Sequence, residues 1–317
     1  MSESKENILI TGGAGFIGSH LSRRLLSKGY KVVVVDDFTL GSTENLHDCI
    51  DNENLSILEH DAGDIQFMTD VLNRESISRV YHLAANSDIQ RSAKEPGVDF
   101  DKTFRTTYGV LEAMRVAGVK KLFFASTSAV YGEKVGEKLS EDVGRLAPIS
   151  YYGGAKLASE AFIQSYAYMN EMQVLIFRFP NVIGPGLTHG VIFDFVRKLK
   201  NNPGELEILG DGTQCKPYLY VIDLVEAIDT YSHKNRDGVD IYNIGVDDAT
   251  TVTEIADMVC ERMGLKDVNY KYTGGNVGWK GDIPRFQYDL SKIKATGWKA
   301  AHTSNSSVMA TLESLSL

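Results

Sequence analysis

The sequence is short of cysteine, of long apolar runs and of positive charge, and each shortage excludes something. Its cysteines are Cys49, Cys215 and Cys260, an odd number at wide spacings that matches neither a zinc site nor a disulfide framework, so a reducing cytoplasm is the expected compartment. The longest apolar stretches, such as Val32 to Val35, have the length of a strand; a membrane helix needs roughly 18 or more such residues, and no membrane span is expected. A formal net charge of −9 leaves no electrostatic footprint for nucleic acid. An anionic ligand must then be held by local features such as helix N-termini. The opening residues are polar and run straight into Ile8-Leu-Ile10, without the charged, apolar, small-residue order of a secretory leader, so no targeting segment is expected. Internal repeats and low-complexity tracts are also lacking.

What is present is a chain of 317 residues, 43% apolar, enough to bury one large α/β core or two unequal domains. Strand-like and helix-like patterns alternate, the sign of a parallel sheet wrapped by helices. Strands are expected at 7–11, 31–36, 55–59, 80–84, 121–125 and 174–179, with helices over 17–28 and 151–168. After Asn181 the alternation weakens and Gly184-Pro-Gly186 punctuates the change. Helices over 191–200 and 253–263 and short strands at 207–209 and 241–244 are expected beyond it.

Two motifs carry chemistry. Gly12-Gly-Ala-Gly15-Phe16-Ile17-Gly18 lies between the first strand and the first helix, where glycines allow a tight turn and close approach to a pyrophosphate met by free N–H groups. Asp36-Asp37 ends the second strand about 20 residues on, placed to accept ribose hydroxyls and to repel a 2′-phosphate, which favours NAD over NADP. The fold class that follows is α/β: a doubly wound parallel (Rossmann) sheet with a smaller α/β substrate-binding domain. The NAD-binding domain is expected over 1–181 with a returning segment around 218–245, and the substrate-binding domain mainly over 182–317. The second motif is Tyr152-Gly-Gly-Ala-Lys156, preceded by Ala125-Ser-Thr127 at the end of a strand. A step of four on a helix sets Tyr152 and Lys156 on one face. A lysine ammonium and an oxidised nicotinamide both favour phenolate, which makes the tyrosine a candidate general base, with Thr127 able to relay a proton at the same oxygen. Tyr151 should point away, and Tyr131 reads as packing.

These motifs, with His82-Leu-Ala-Ala85, Ser126-Thr-Ser-Ala-Val-Tyr-Gly132, Arg178-Phe-Pro-Asn181, Tyr242-Asn-Ile-Gly245 and Gly281-Asp282, give the chain its resemblance to the extended short-chain dehydrogenase/reductases, specifically the UDP-glucose 4-epimerase-like nucleotide-sugar epimerases. The resemblance runs from Ile8 to about Trp298. It implies that Gly12, Gly15, Gly18 and the Phe16 and Ile17 N–H groups hold the pyrophosphate, that Asp36 and Asp37 hold the ribose, that Asp61 and Ala62 flank the adenine, and that Leu83, Ala84 and Ala85 line the cofactor's path. Thr127, Tyr152 and Lys156 match the family's catalytic positions. Ser126, Thr127 and Asn181 would contact substrate, Val191, Leu209 and Tyr218 the nucleotide, Lys216 the diphosphate and Asp282 the ribose. Thr103 stands where an asparagine beneath the cofactor is usual, Lys216 where the family has a bidentate arginine, and Trp279 where a second diphosphate arginine is common; His189 and Arg285 are possible substitutes or ordinary surface residues.

The activity implied is NAD-dependent epimerisation at C4 of a nucleotide sugar, with UDP-glucose/UDP-galactose first and a UDP-N-acetylhexosamine or a CDP or GDP sugar as alternatives. Related 4,6-dehydratases carry an Asp-Glu pair directly after the catalytic threonine, where this chain has Ser128-Ala129, and related decarboxylases a glutamate at Ala129. A 2-epimerase or another C4-keto route fits the sequence as well, and a non-catalytic NAD-binding regulator is the reading from a different class. Phe286 reads either as a gate on pocket width favouring a plain hexose or as packing. Relatives commonly dimerise through two helices that form a four-helix bundle, and a homodimer using the Tyr152 helix, with Phe162 and Tyr166 facing outward, is expected.

Overall fold

The structure, a computed structural model, describes residues 6–317 except 135, 235, 276, 279, 280 and 316. The chain divides into two units. The first comprises residues up to Val130, Ser150–Arg178 and Val225–Tyr242. Its seven-stranded parallel sheet contains β1 (Asn7–Thr11), β2 (Lys31–Asp36), β3 (Leu55–Glu59), β4 (Arg79–His82), β5 (Lys121–Thr127), β6 (Gln173–Phe179) and β7 (Val239–Asn243), in the order β7-β6-β5-β4-β1-β2-β3. β1 pairs in parallel with both β2 and β4, so the order reverses beside β1, and the carboxyl ends of β1 and β4 form the crevice where such sheets bind ligands. β-branched and large apolar residues fill the central strands: Val32 to Val35 are wholly buried, as a strand covered on both faces requires.

Its longer helices are α1 (Phe16–Ser27), α2 (Ile65–Arg74), α3 (Thr106–Ala117), α4 (Tyr151–Asn170) and α5 (Val221–Ser232). Met68, Val71 and Leu72 of α2, Val110, Leu111 and Met114 of α3, and Ile163 and Ala167 of α4 share one core with strand residues Leu9, Val33, Val80, Phe124 and Ile176. At about 1.5–3 kcal/mol for each large apolar side chain fully buried, this cluster is the main source of the unit's stability. α1 and α5 are joined by the buried Asp229 carboxylate, which meets Arg24 at 2.8 Å and Lys28 at 2.5 Å. Sequence pattern places most strands within two residues, but leaves out α2, α3 and α5. It also misses a π-wound segment over Phe100–Arg105, which runs directly into α3.

The second unit comprises Tyr131–Ile149, Phe179–Leu224 and Asn243–Leu317. Short strands pair within it: Asn181–Ile183 with Tyr218–Tyr220, Glu205–Ile208 with Asn269–Tyr272, Cys215–Lys216 with Thr250–Thr251, and Lys138–Leu139 with Gln287–Tyr288. Helices Val191–Asn201, Val252–Arg262 and Ser304–Glu313 contribute Phe195, Leu199, Ile255, Val259, Val308 and Leu312 to its core. None of the described helices is long and apolar enough to cross a membrane.

Candidate active site

The glycine loop is shaped by close contacts. Gly12 takes φ +69°, and a Cβ there would lie 2.7 Å from the Ala84 backbone nitrogen. A Cβ on Gly18 would lie 2.1 Å from the Gly12 carbonyl oxygen, so the first turn of α1 presses on the loop in a way only glycine permits. Gly15 caps α1 and no side chain caps it, which leaves the first-turn N–H groups, those of Phe16 and Ile17 included, for an anion. Leu83, Ala84 and Ala85 follow β4 and lie against this loop: the Leu83 N–H donates to the Thr11 carbonyl at 3.1 Å and the Ala84 N–H to the Thr11 hydroxyl at 3.3 Å.

Asp36 is buried, and its two oxygens accept backbone N–H groups from Ala14 and Phe38, each at 3.0 Å. Burial pushes its carboxyl up from the ordinary range, outweighing those two bonds. Each oxygen keeps a lone pair for a ribose hydroxyl. Burial also pulls on Asp37, but hydrogen bonds from the Lys102 ammonium and Thr39 win and hold it low. Lys102 lies 2.7 Å from Asp37 and 3.6 Å from Asp61, so one cation joins two residues expected at the adenosine end; sequence reading misses it. Ala62 is buried beside Asp61, and Thr103 is wholly buried with its hydroxyl accepting the Asn86 N–H at 3.2 Å. A cradle that a Cβ would fill, an uncapped helix and a fixed acid at the end of β2 together fit a dinucleotide.

At the end of β5, three successive residues reach α4. The Ala125 carbonyl accepts the Lys156 ammonium at 2.7 Å, Ser126 donates to Glu160 Oε1 at 2.5 Å, and the Thr127 hydroxyl faces the Tyr152 phenol and favours its ionised form. Thr127 Oγ1 also accepts the Ala129 N–H at 3.2 Å, which leaves its proton free for the phenol oxygen. Removal from water pushes the Tyr152 phenol up to about 12 although the Thr127 bond lowers it, and pushes Lys156 down to about 7 although Glu160 and Asp99 raise it. The free chain therefore holds Tyr152 as a phenol, and the ready phenolate argued from sequence needs the positive charge that arrives with an oxidised dinucleotide. Tyr151 is 57% exposed and turned to solvent, as expected from its register.

Ser126, expected against substrate, is committed elsewhere. Its hydroxyl joins a buried ion pair in which Arg178 grips Glu160 at 3.0 and 2.6 Å. This cluster ties β6 and the end of β5 to α4 one turn beyond Lys156. Glu160 at i+4 from Lys156 was the available signal in the sequence. His82 is a second buried support. Thr107 donates its proton to the Thr103 carbonyl at 2.7 Å, so its oxygen accepts His82 Nε2–H at 3.0 Å, and His82 Nδ1 accepts the Thr11 hydroxyl at 2.7 Å. Burial, then the Lys156 charge, push this imidazole down to about 3. It is a neutral spacer between the glycine loop and α3.

In the second unit, Tyr218 lies opposite Asn181 in the paired strands, and its buried phenol is pushed up by removal from water although the Asn181 side chain lowers it. Lys216 and Asp282 form an ion pair, and Asp282 accepts the Gly278 N–H at 3.3 Å. Val191 begins the helix Val191–Asn201, and Leu209 follows the strand Glu205–Ile208 at 39% exposure. Tyr131 is wholly buried and donates to Asn243 at 2.7 Å, the packing role expected of it. Phe286 packs edge-on against Tyr288, while Trp279 falls outside the described residues. Tyr166, expected to face outward, packs on the core of the first unit and donates to Glu112 at 3.0 Å; Phe162 is 42% exposed.

Comparison with known proteins agrees with this geometry. Residues 8–245 match the NAD dependent epimerase/dehydratase family. A putative UDP-glucose 4-epimerase of Methanocaldococcus jannaschii is 31% identical over 299 residues, covering 92% of each chain. The crystal structure of a Thermotoga maritima UDP-glucose 4-epimerase with UDP-glucose superposes with TM-score 0.86 at 32% identity, covering 97% of this chain and 98% of that one. That of a Thermus thermophilus UDP-glucose 4-epimerase in complex with NAD gives TM-score 0.85 at 30% identity and the same coverage. The chain belongs to the NAD dependent epimerase/dehydratase family of nucleotide-sugar enzymes, with NAD as the cofactor.

Proposed function

We propose that this protein is a nucleotide-sugar 4-epimerase that interconverts UDP-glucose and UDP-galactose. The observation that carries the reading is the junction of β5 and α4, where Thr127 meets the Tyr152 phenol and Lys156 stands one turn along the same helix. When bound, NAD supplies reversible two-electron oxidation at the sugar C4. Tyr152, once ionised, takes the proton of the 4-hydroxyl and later returns it to the oxygen of the 4-ketose after the sugar has presented its other face, so the reaction ends inverted at C4 with no net redox change. Thr127 donates to that oxygen while it is charged, and the Lys156 ammonium favours the same form. Glu160 and Arg178 keep the strand end and the helix in register, so that the proton moves over a fixed distance.

The absence of an acid pair after Thr127 supports epimerisation over elimination of water, since Ser128 and Ala129 offer no proton donor of suitable strength for a leaving hydroxyl. In this reading Gly12, Gly15, Gly18, Phe16 and Ile17 take the pyrophosphate, Asp36 and Asp37 the ribose, and Asp61, Ala62, Leu83 to Ala85 and Thr103 the rest of the cofactor. Asn181, Val191, Leu209 and Tyr218 take the substrate's nucleotide, with Lys216 on its diphosphate and Asp282 on its ribose. A homodimer through α4 is supported by Phe162 and by the exposed Phe100 and Tyr108. A cytoplasmic location is supported by three free cysteines. Incubating the NAD-loaded protein with UDP-glucose, UDP-galactose and their N-acetyl forms, then separating products, tests the substrate. Conversion of the plain hexoses is expected, and conversion of the N-acetyl forms alone would overturn the choice of sugar.

A further inference from the structure

Asp99 is 1% exposed and has no part in the chemistry described above. It closes a single helical turn, Gly97–Asp99, that packs on α4 and runs into the π-wound segment bearing Thr103. One of its oxygens accepts Asn86 Nδ2 at 2.8 Å. That asparagine is itself fixed, donating from Nδ2 to the Asp88 carbonyl at 3.1 Å and from its backbone to the Thr103 hydroxyl at 3.2 Å. The other Asp99 oxygen is buried with no hydrogen-bond partner. A carboxylate oxygen left bare in the interior is costly and persists where a nearby charge compensates it. Among the described residues no cation forms an ion pair with Asp99, whereas Glu160, the other carboxylate acting on Lys156, has Arg178 for its own partner.

We propose that Asp99 is a positioning residue for the Tyr152–Lys156 pair: fastened through one oxygen by Asn86, its carboxylate is the fixed anion whose counter-charge is the Lys156 ammonium. Its charge acts on both members, raising the proton affinity of the amine and of the phenol. The remaining titratable neighbours are accounted for, since Glu160 is locked to Arg178 and His82 is held neutral by burial. Asp99 thus keeps the amine charged near neutral pH and opposes early loss of the tyrosine proton. The helical turn ending at Asp99 runs directly into the π-wound segment bearing Thr103, so the charge and the expected cofactor contact lie on one continuous stretch of chain.

The proposal assumes the Tyr152–Lys156 pair assigned above, but its test needs no turnover. Lysine ε-carbons labelled with 13C are followed by NMR against pH, with the Lys156 signal assigned by its loss in Lys156→Arg. The Lys156 midpoint, near 7 in the parent, should move to lower pH in Asp99→Asn and stay with the parent in Asp99→Glu. An unmoved midpoint in Asp99→Asn, or an equal displacement in both variants, would overturn the proposal. Asp99→Thr serves as the uncharged comparison should the asparagine variant not fold. A protein that shows the shift but converts no nucleotide sugar would retain this inference and lose the epimerase reading.

Discussion

Acidification should unfold this protein through one imidazole before its carboxylates matter. His82 is buried between Thr11 and Thr107 and titrates at about 3 in the fold, against an ordinary value of 6.5. The unfolded chain therefore binds a proton that the native protein refuses, and the stability present above pH 6.5 is lost as pH falls toward 3. By about pH 4.5 the loss from this group is about 3 kcal/mol, a large share of a typical stability of about 5–15 kcal/mol. His233 acts in the same direction, because burial lowers it too. Urea unfolding at about neutral pH and at about pH 4.5, for the parent and for His82→Gln, isolates the effect. The glutamine amide offers a donor and an acceptor without ionising, so the variant should start less stable and yet lose about 3 kcal/mol less across that interval. Equal losses in the two proteins would refute the assignment of His82 as a buried neutral spacer.

Gly18→Ala drives a Cβ to 2.1 Å from the Gly12 oxygen; distortion of the loop should weaken NAD binding by at least about tenfold, or about 1.4 kcal/mol, by calorimetric titration. Glu160→Ala removes the buried carboxylate that Arg178 and Ser126 both grip and should cost about 3–5 kcal/mol, read from denaturant midpoints. Thr127→Val removes the hydroxyl that the proposed mechanism sets against the Tyr152 phenolate and should lower kcat by about 100-fold while leaving NAD affinity unchanged, as measured by initial rates and titration. On the proposed reading that Lys216 holds the substrate diphosphate, Lys216→Met should raise KM for the nucleotide sugar more than it lowers kcat, because such a contact acts equally on substrate and transition state.

The sheet was legible because its strands are continuous β-branched runs and its cofactor loop requires glycine at fixed steps. The Tyr152–Lys156 pair was legible because a spacing of four has one geometric meaning on a helix. What escaped depends on packing between distant segments. Lys102 sits far in sequence from both Asp37 and Asp61, and nothing local marks it as their shared cation. The π-wound turn of Phe100–Arg105 has no composition signal, and its consequence, the burial of Asp99 and Thr103, appears only when α4 is packed against it. Ser126 was misread for a related reason. At a strand end, neighbouring hydroxyls look alike in sequence, yet Ser126 serves the Glu160–Arg178 pair and Thr127 serves the phenol.

The most direct measurement is the rate of UDP-glucose and UDP-galactose interconversion by Tyr152→Phe with NAD affinity measured in parallel. Loss of the phenol oxygen should leave the cofactor bound and reduce turnover by about 100- to 10,000-fold. Turnover at the parent's rate with NAD bound would contradict the account.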